Sequence, residues 1–181
     1  MAKVRNNILV RGLSGAVGEQ FVIRKDKAGR TIVSNKPEFD ENRQFSEAQL
    51  AQQEAFREAS AYAQTAKDQE VYVAKAEGTP LHPRNVAMAD WLHEPQIKDI
   101  DLSGWSGLAG QVIRIQAVDD VQVRQVTVVI TDEAGAVLEQ GSAVRAEGLW
   151  WNYTTTQAAS GTPKVIASAQ DLPGHIAKMT K

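Results

Sequence analysis

Apolar positions along this chain change period twice. In the first segment they alternate: Val17, Phe21 and Ile23 share a parity, and 30–34 is a second short run rich in Thr, Ile and Val, as in half-buried strands. Lys25-Asp26-Lys27-Ala28-Gly29 separates these runs and offers a glycine for a positive-φ turn position, so a β-hairpin is expected. Gly12, Ser14, Gly15 and Gly18 predict a bend or bulge upstream of it. A lone hairpin is marginal in water and needs a surface to lie on.

After Pro37 the period becomes helical. Ser46-Glu47-Ala48-Gln49 has the form of a capping box, and the strong helix formers after it run to about Ala66. Ala48, Ala55, Ala59, Tyr62 and Ala66 form a broad, shallow apolar face beside Leu50, Phe56 and Ala63. A second helix is expected over 68–76, ended by Gly78-Thr79-Pro80, and a third over 84–92, with Pro83 at its first turn and Pro95 preventing extension.

From Ile97 the pattern turns all-β. Ile113, Ile115 and Ala117 alternate with Arg114 and Gln116, and Asp119-Asp120 supplies a turn. The parity of Val121 and Val123 slips by one before Val126, Val128 and Ile130, which predicts a bulge or a change of sheet near Arg124-Gln125. Further strands are expected over 137–145, with Gly141 as a bulge or bend, and over 149–155, 164–169 and 176–180. About seven short strands at ~8–12-residue spacing fit an immunoglobulin-like sandwich. The expected fold is α+β: a β-hairpin arm (1–37), a small three-helix unit (38–95) and an immunoglobulin-like antiparallel β-sandwich (96–181).

Several motifs carry a resemblance. Asp119-Asp120-Val121 with the alternating valines after it, the 132–135 turn, Gly148-Leu149-Trp150-Trp151 with Tyr153, and Ala169, Asp171, Pro173 and Gly174 resemble bacterial immunoglobulin-like β-sandwich modules over about 85 residues, 97–181. The resemblance implies a fold and little about activity. The front part, from Leu13-Ser14-Gly15 through the hairpin to Gln49, resembles the start of small uncharacterised bacterial proteins, and no activity follows from it.

The chain has 181 residues, 43% hydrophobic and 23% charged, with a formal charge of −2, which excludes a disordered tail or a collagen-like repeat. The charge is unevenly placed. Residues 1–36 hold eight basic side chains against two acidic ones, a balance of +6, so the rest totals −8. Such asymmetry marks an arm that binds something negative, either nucleic acid or the acidic body of another copy. The absence of cysteine removes disulfides, thiolate nucleophiles and cysteine-type zinc sites. The apolar run 8–10 is shorter than a signal-peptide core, so cytoplasmic synthesis without a Sec signal is expected, and no run is long enough to span a membrane.

Little in the chain points to a reaction. His82, His93 and His175 lie far apart, and no two have the spacing of ligands on one helix face. The 11–18 stretch is glycine-rich but lacks the lysine followed by serine or threonine of a phosphate-binding loop, and a hairpin follows it instead of a helix. Asp99, Asp101, Asp119, Asp120 and Asp171 gather at strand ends and are weak calcium candidates, although turn chemistry alone explains aspartate there. Trp150, Trp151 and Tyr153 form a candidate ligand platform for a sugar, yet adjacent strand residues point to opposite faces.

These features favour a non-enzymatic structural or assembly protein, a subunit of a filament, a surface layer, or a virion- or tail-like particle, with no catalytic residues, metal or cofactor. Its partners would be other copies of itself and other particle proteins. Val17, Phe21, Ile23, Arg24, Lys25, Lys27, Arg30, Ile32, Phe56 and Tyr62 are the candidate subunit-interface residues. The alternatives are a nucleic-acid-associated protein using the basic arm and a carbohydrate-binding module resting on the tryptophans.

Overall fold

Each change of hydrophobic period is a change of architecture in the computed structural model, which describes residues 2–4, 13–38 and 44–181. Among the described residues, three helices and twelve strands in three antiparallel sheets make an α+β fold. Strands β1 (Ala2–Val4), β2 (Gly15–Val17), β3 (Phe21–Lys25) and β4 (Thr31–Asn35) form a first sheet in the order β1-β4-β3-β2. The expected hairpin is β3–β4, with Ile23 opposite Val33. Its turn closes through Gly29, at φ +74°, whose amide donates to the Asp26 carbonyl at 2.9 Å. The arm is more than a hairpin, because Gly18 at φ +60° turns the chain after Val17 and folds β2 back onto β3. The continuous alternation from Val17 to Ile23 therefore spans two strands. The expected bend at Gly12 falls outside the described residues.

Helix α1 (Glu47–Ala66) starts at the expected capping box: the Ser46 hydroxyl accepts from the Gln49 amide, and the Gln49 side chain accepts from the Ser46 amide. Helices α2 (Glu70–Ala76) and α3 (Pro83–Leu92) follow, with proline in the first turn of α3. They bury Ala63, Ala66, Tyr72, Ala76, Val86 and Ala87 in one small cluster. The small side chains at these α1 positions let the helices approach closely.

The last eight strands form two sheets that share one core. Strands β5 (Gln96–Asp101), β6 (Val112–Val118), β9 (Val144–Arg145) and β10 (Trp150–Thr154) are ordered β5-β6-β10-β9; β7 (Gln125–Thr131), β8 (Val137–Ser142), β11 (Lys164–Gln170) and β12 (Ile176–Thr180) are ordered β12-β11-β7-β8. Ile100, Ile113, Ile115, Val126, Val128, Ile130, Val165 and Ala167 are fully or almost fully enclosed between them, each isoleucine or valine stabilising by roughly 1.5–3 kcal/mol. One stretch of chain serves both layers: β8 pairs with β7, the chain turns at buried Ala143, and β9 pairs with β10.

Two details of register differ from expectation. Val121 and Val123 lie in the loop before β7; Val121 packs under the helices and Val123 enters the sandwich core, so the parity slip marks residues serving two cores. The bulge in β8 lies opposite Ile130 and Thr131, not at Gly141. Gly141 leaves room for the Tyr153 ring, whose Cε2 would lie 2.8 Å from an added Cβ.

Candidate functional site

The first sheet presents two different faces. Cross-strand pairing puts Val17, Phe21, Ile23, Lys25 and Val33 on one side and Arg24 and Ile32 on the other. Ile23 is 5% exposed, whereas Val17 and Phe21 are 48% and 42% exposed. Neither buried apolar cluster includes a residue of this sheet. The predicted interface residues on these strands are thus close in space but divided between the two faces of the sheet.

Two of the four basic side chains in this set are already engaged. Arg30 pairs with Asp26 across the hairpin turn, Nε to Oδ2 at 2.5 Å, and its amide donates to Asp26 Oδ1 at 2.8 Å. The bond from the Arg30 amide, with its neighbours, holds the Asp26 carboxyl below the usual aspartate range against partial desolvation. Lys27 Nζ donates to the Leu81 carbonyl at 2.5 Å, tying the turn to the α2–α3 connection. Arg24 and Lys25 are exposed and have no ion pair among the described residues.

Phe56 and Tyr62 lie on different parts of α1. Buried side chains occur only at Ala59, Ala63 and Ala66, so the first half of this 20-residue helix overhangs its neighbours and leaves Phe56 52% exposed. Tyr62 turns inward. Its hydroxyl lies 2.6 Å from that of Tyr72, which donates to Asp90 Oδ2, also at 2.6 Å; with the Tyr72 proton committed, Tyr62 is the donor to Tyr72. Burial is the largest influence on both phenols and raises both, and the hydrogen bond that Tyr72 gives to Asp90 raises Tyr72 further. No short motif announces this chain, because its members lie on three helices.

The helices meet the sandwich where the 119–122 and 171–175 turns gather. Asp171 is fully buried; its Oδ1 accepts from the amides of Gly174 and His175 at 2.7 and 2.6 Å, and its Oδ2 lies 2.9 Å from His175 Nδ1. The His175 ring packs edge-on against Trp91 of α3, centroids 5.2 Å apart. Nearby, His93 Nδ1 lies 2.5 Å from Asp120 Oδ2 beside an open cleft of about 630 Å³ that Lys98 and Asp119 also line. His93, at the exposed end of α3, and His175, in a turn, each have a carboxylate partner.

The other predicted sites separate on inspection. Trp151 and Tyr153 face the core and are buried, so they cannot share a platform with Trp150, which lies on the opposite face beneath the Arg114 guanidinium at 4.6 Å. The calcium candidates also divide. Asp99 pairs with Lys181, and Asp101 accepts from the Ser103 amide, while Asp119, Asp120 and Asp171 lie at the helical junction. Among the described residues no three His, Asp or Glu side chains are grouped to hold a metal ion; these aspartates build turns and pairs. No described helix is long and apolar enough to cross a membrane.

No protein-family model matches the chain, and no curated protein matches it significantly. Two solved structures are similar to part of it. One is an engineered protein, 23% identical with a TM-score of 0.38, matched over 49% of this chain and 19% of that one, so the chain spans less than a fifth of its length. The other is CopC from Methylosinus trichosporium OB3b, 17% identical with a TM-score of 0.37, matched over 48% of this chain and 87% of that one.

Proposed function

We propose that this chain is a non-enzymatic assembly subunit whose N-terminal sheet docks onto a neighbouring copy, while an immunoglobulin-like sandwich serves as the rigid module held outward. One observation carries the reading: the first sheet lies outside both buried cores, yet it exposes Val17 and Phe21 and leaves Arg24 and Lys25 unpaired among the described residues. Strand addition supplies the mechanism. Edge strands offer main-chain donors and acceptors to a partner, and the basic segment complements a body of charge −8. A filament, a surface layer or a virion- or tail-like particle is the setting such a subunit suits.

Light scattering and electron microscopy of the full chain, beside a chain starting at Glu38 and the full chain carrying Phe21→Ser, test the proposal. Assembly by the unaltered chain, lost in both variants, is the expected outcome. A full chain that stays monomeric at high concentration overturns it. If that monomer alone retards DNA, in a manner that weakens steeply with salt, Arg24 and Lys25 are phosphate contacts and the nucleic-acid reading takes its place.

A further inference from the structure

Two carboxylate oxygens at the helix–sandwich junction have no donor. Asp90, on α3, is fully enclosed; its Oδ2 accepts from Tyr72, and its Oδ1 is buried without a partner. Asp119, in the turn after β6, gives its Oδ2 to the amides of Val121 and Gln122 at 3.0 and 2.9 Å, and its Oδ1 is likewise buried and unpartnered. The two carboxyl groups lie within hydrogen-bond reach of each other. As two anions they would face one another with both orphan oxygens out of contact with water. One proton between them gives each orphan oxygen a partner.

Lys98 and His93 line the open cleft beside Asp119, but among the described residues Lys98 bonds to Gln96 and His93 to Asp120, and neither bonds to Asp90 or Asp119. Tyr62 and Tyr72 face Asp90 from α1 and α2, and Asp171 adds a third negative charge from the sandwich side. His175 is committed to Asp171, and His93 to Asp120. Among the described residues no lysine or arginine bonds to Asp90 or Asp119.

We infer that Asp90 and Asp119 share a single proton across the junction, so that docking of the helical unit on the sandwich is linked to protonation. With the proton in place the pair is a clasp. Without it, two facing anions draw water into the seam and loosen α3 from the 119–122 turn. Burial pushes Asp90 up to about 7, helped by the charges of Asp119 and Asp171 and opposed by the Tyr72 hydrogen bond. An aspartate in the unfolded chain loses its proton near pH ~4. The clasp's contribution is therefore complete below that value, declines as pH rises, and is gone above about 7.

Amide hydrogen exchange on the full chain at pH 5 and pH 8, corrected for intrinsic rates, tests the linkage. Asp90→Asn is the key variant: its amide is shaped like the protonated acid, can donate to Asp119 and accept from Tyr72, and cannot ionise. Protection of α3 and of the Val121 and Gln122 amides should fall about tenfold or more in the unaltered protein, a free-energy change of one pKa unit or greater, while β6 and β11 hold. The variant should show little of that fall. Subtracting the two profiles cancels any part played by His93 and His175. Equal losses in both proteins, or none in the unaltered one, overturn the inference. Should Asp90→Asn fail to fold, carbon-13 NMR of the aspartate carboxyls in the unaltered protein decides: a midpoint near neutrality for the pair supports it, and all aspartates titrating in the ordinary range refutes it.

Discussion

Glu139 sits at an inward-facing position of β8, 6% exposed, and it holds the loop after β10 in place. Its Oε1 accepts from the Tyr153 hydroxyl at 2.8 Å and from the Thr156 amide and hydroxyl at 2.6 and 2.8 Å; its Oε2 accepts from the Gln157 amide at 3.2 Å. Burial alone would raise its pKa, but these bonds outweigh burial and hold it below the ordinary glutamate value, while the same contact pushes Tyr153 up to about 12 after the larger effect of its own burial. A carboxyl lowered on folding stabilises the protein above its unfolded pKa and loses that contribution as pH falls through its folded one. Glu139→Gln should therefore cost about 1–3 kcal/mol near neutral pH and flatten the acid limb of the stability curve, read by urea titration at pH 3 to 7. Neither Glu139 nor Asp90 was legible in the sequence, because their partners lie 14 to 18 residues away in other elements. The opposed faces of Trp150 and Trp151 were legible, since strand alternation alone fixes them.

At the scale of elements, local chemistry decided most boundaries. The capping box starts α1, a first-turn proline marks α3, and the sandwich strands follow their apolar alternation. The sequence was silent where one pattern served two elements: Val17 to Ile23 alternates across a turn, and Val121 and Val123 feed separate cores. The overhang of α1 gives the cap a local role. Ser46→Ala should weaken the first turns by about 1 kcal/mol, seen as faster amide exchange before Ala59. The thermal midpoint should change little, because that half of the helix buries no side chain. A midpoint lowered by many degrees would mean that this end packs against something.

On the scale of the whole molecule, the division of charge is read directly from the sequence, but the seating of the helices on the sandwich depends on turn residues over 80 positions apart, as in Trp91 against His175. If the basic sheet meets the acidic body of another copy, raising salt from about 50 to 500 mM should shift the full chain toward monomer, because exposed charges are screened within about 10 Å at 0.1 M. Assembly that strengthens with salt would assign the contact to Val17 and Phe21 instead. The corner at Ala143 has a mechanical meaning of its own. A single length of backbone is stitched into both layers there, so neither layer can slide over or peel from the other without tearing its own hydrogen bonds. Heating should accordingly melt both layers in one calorimetric peak, with no surviving half to expose its apolar lining to neighbours.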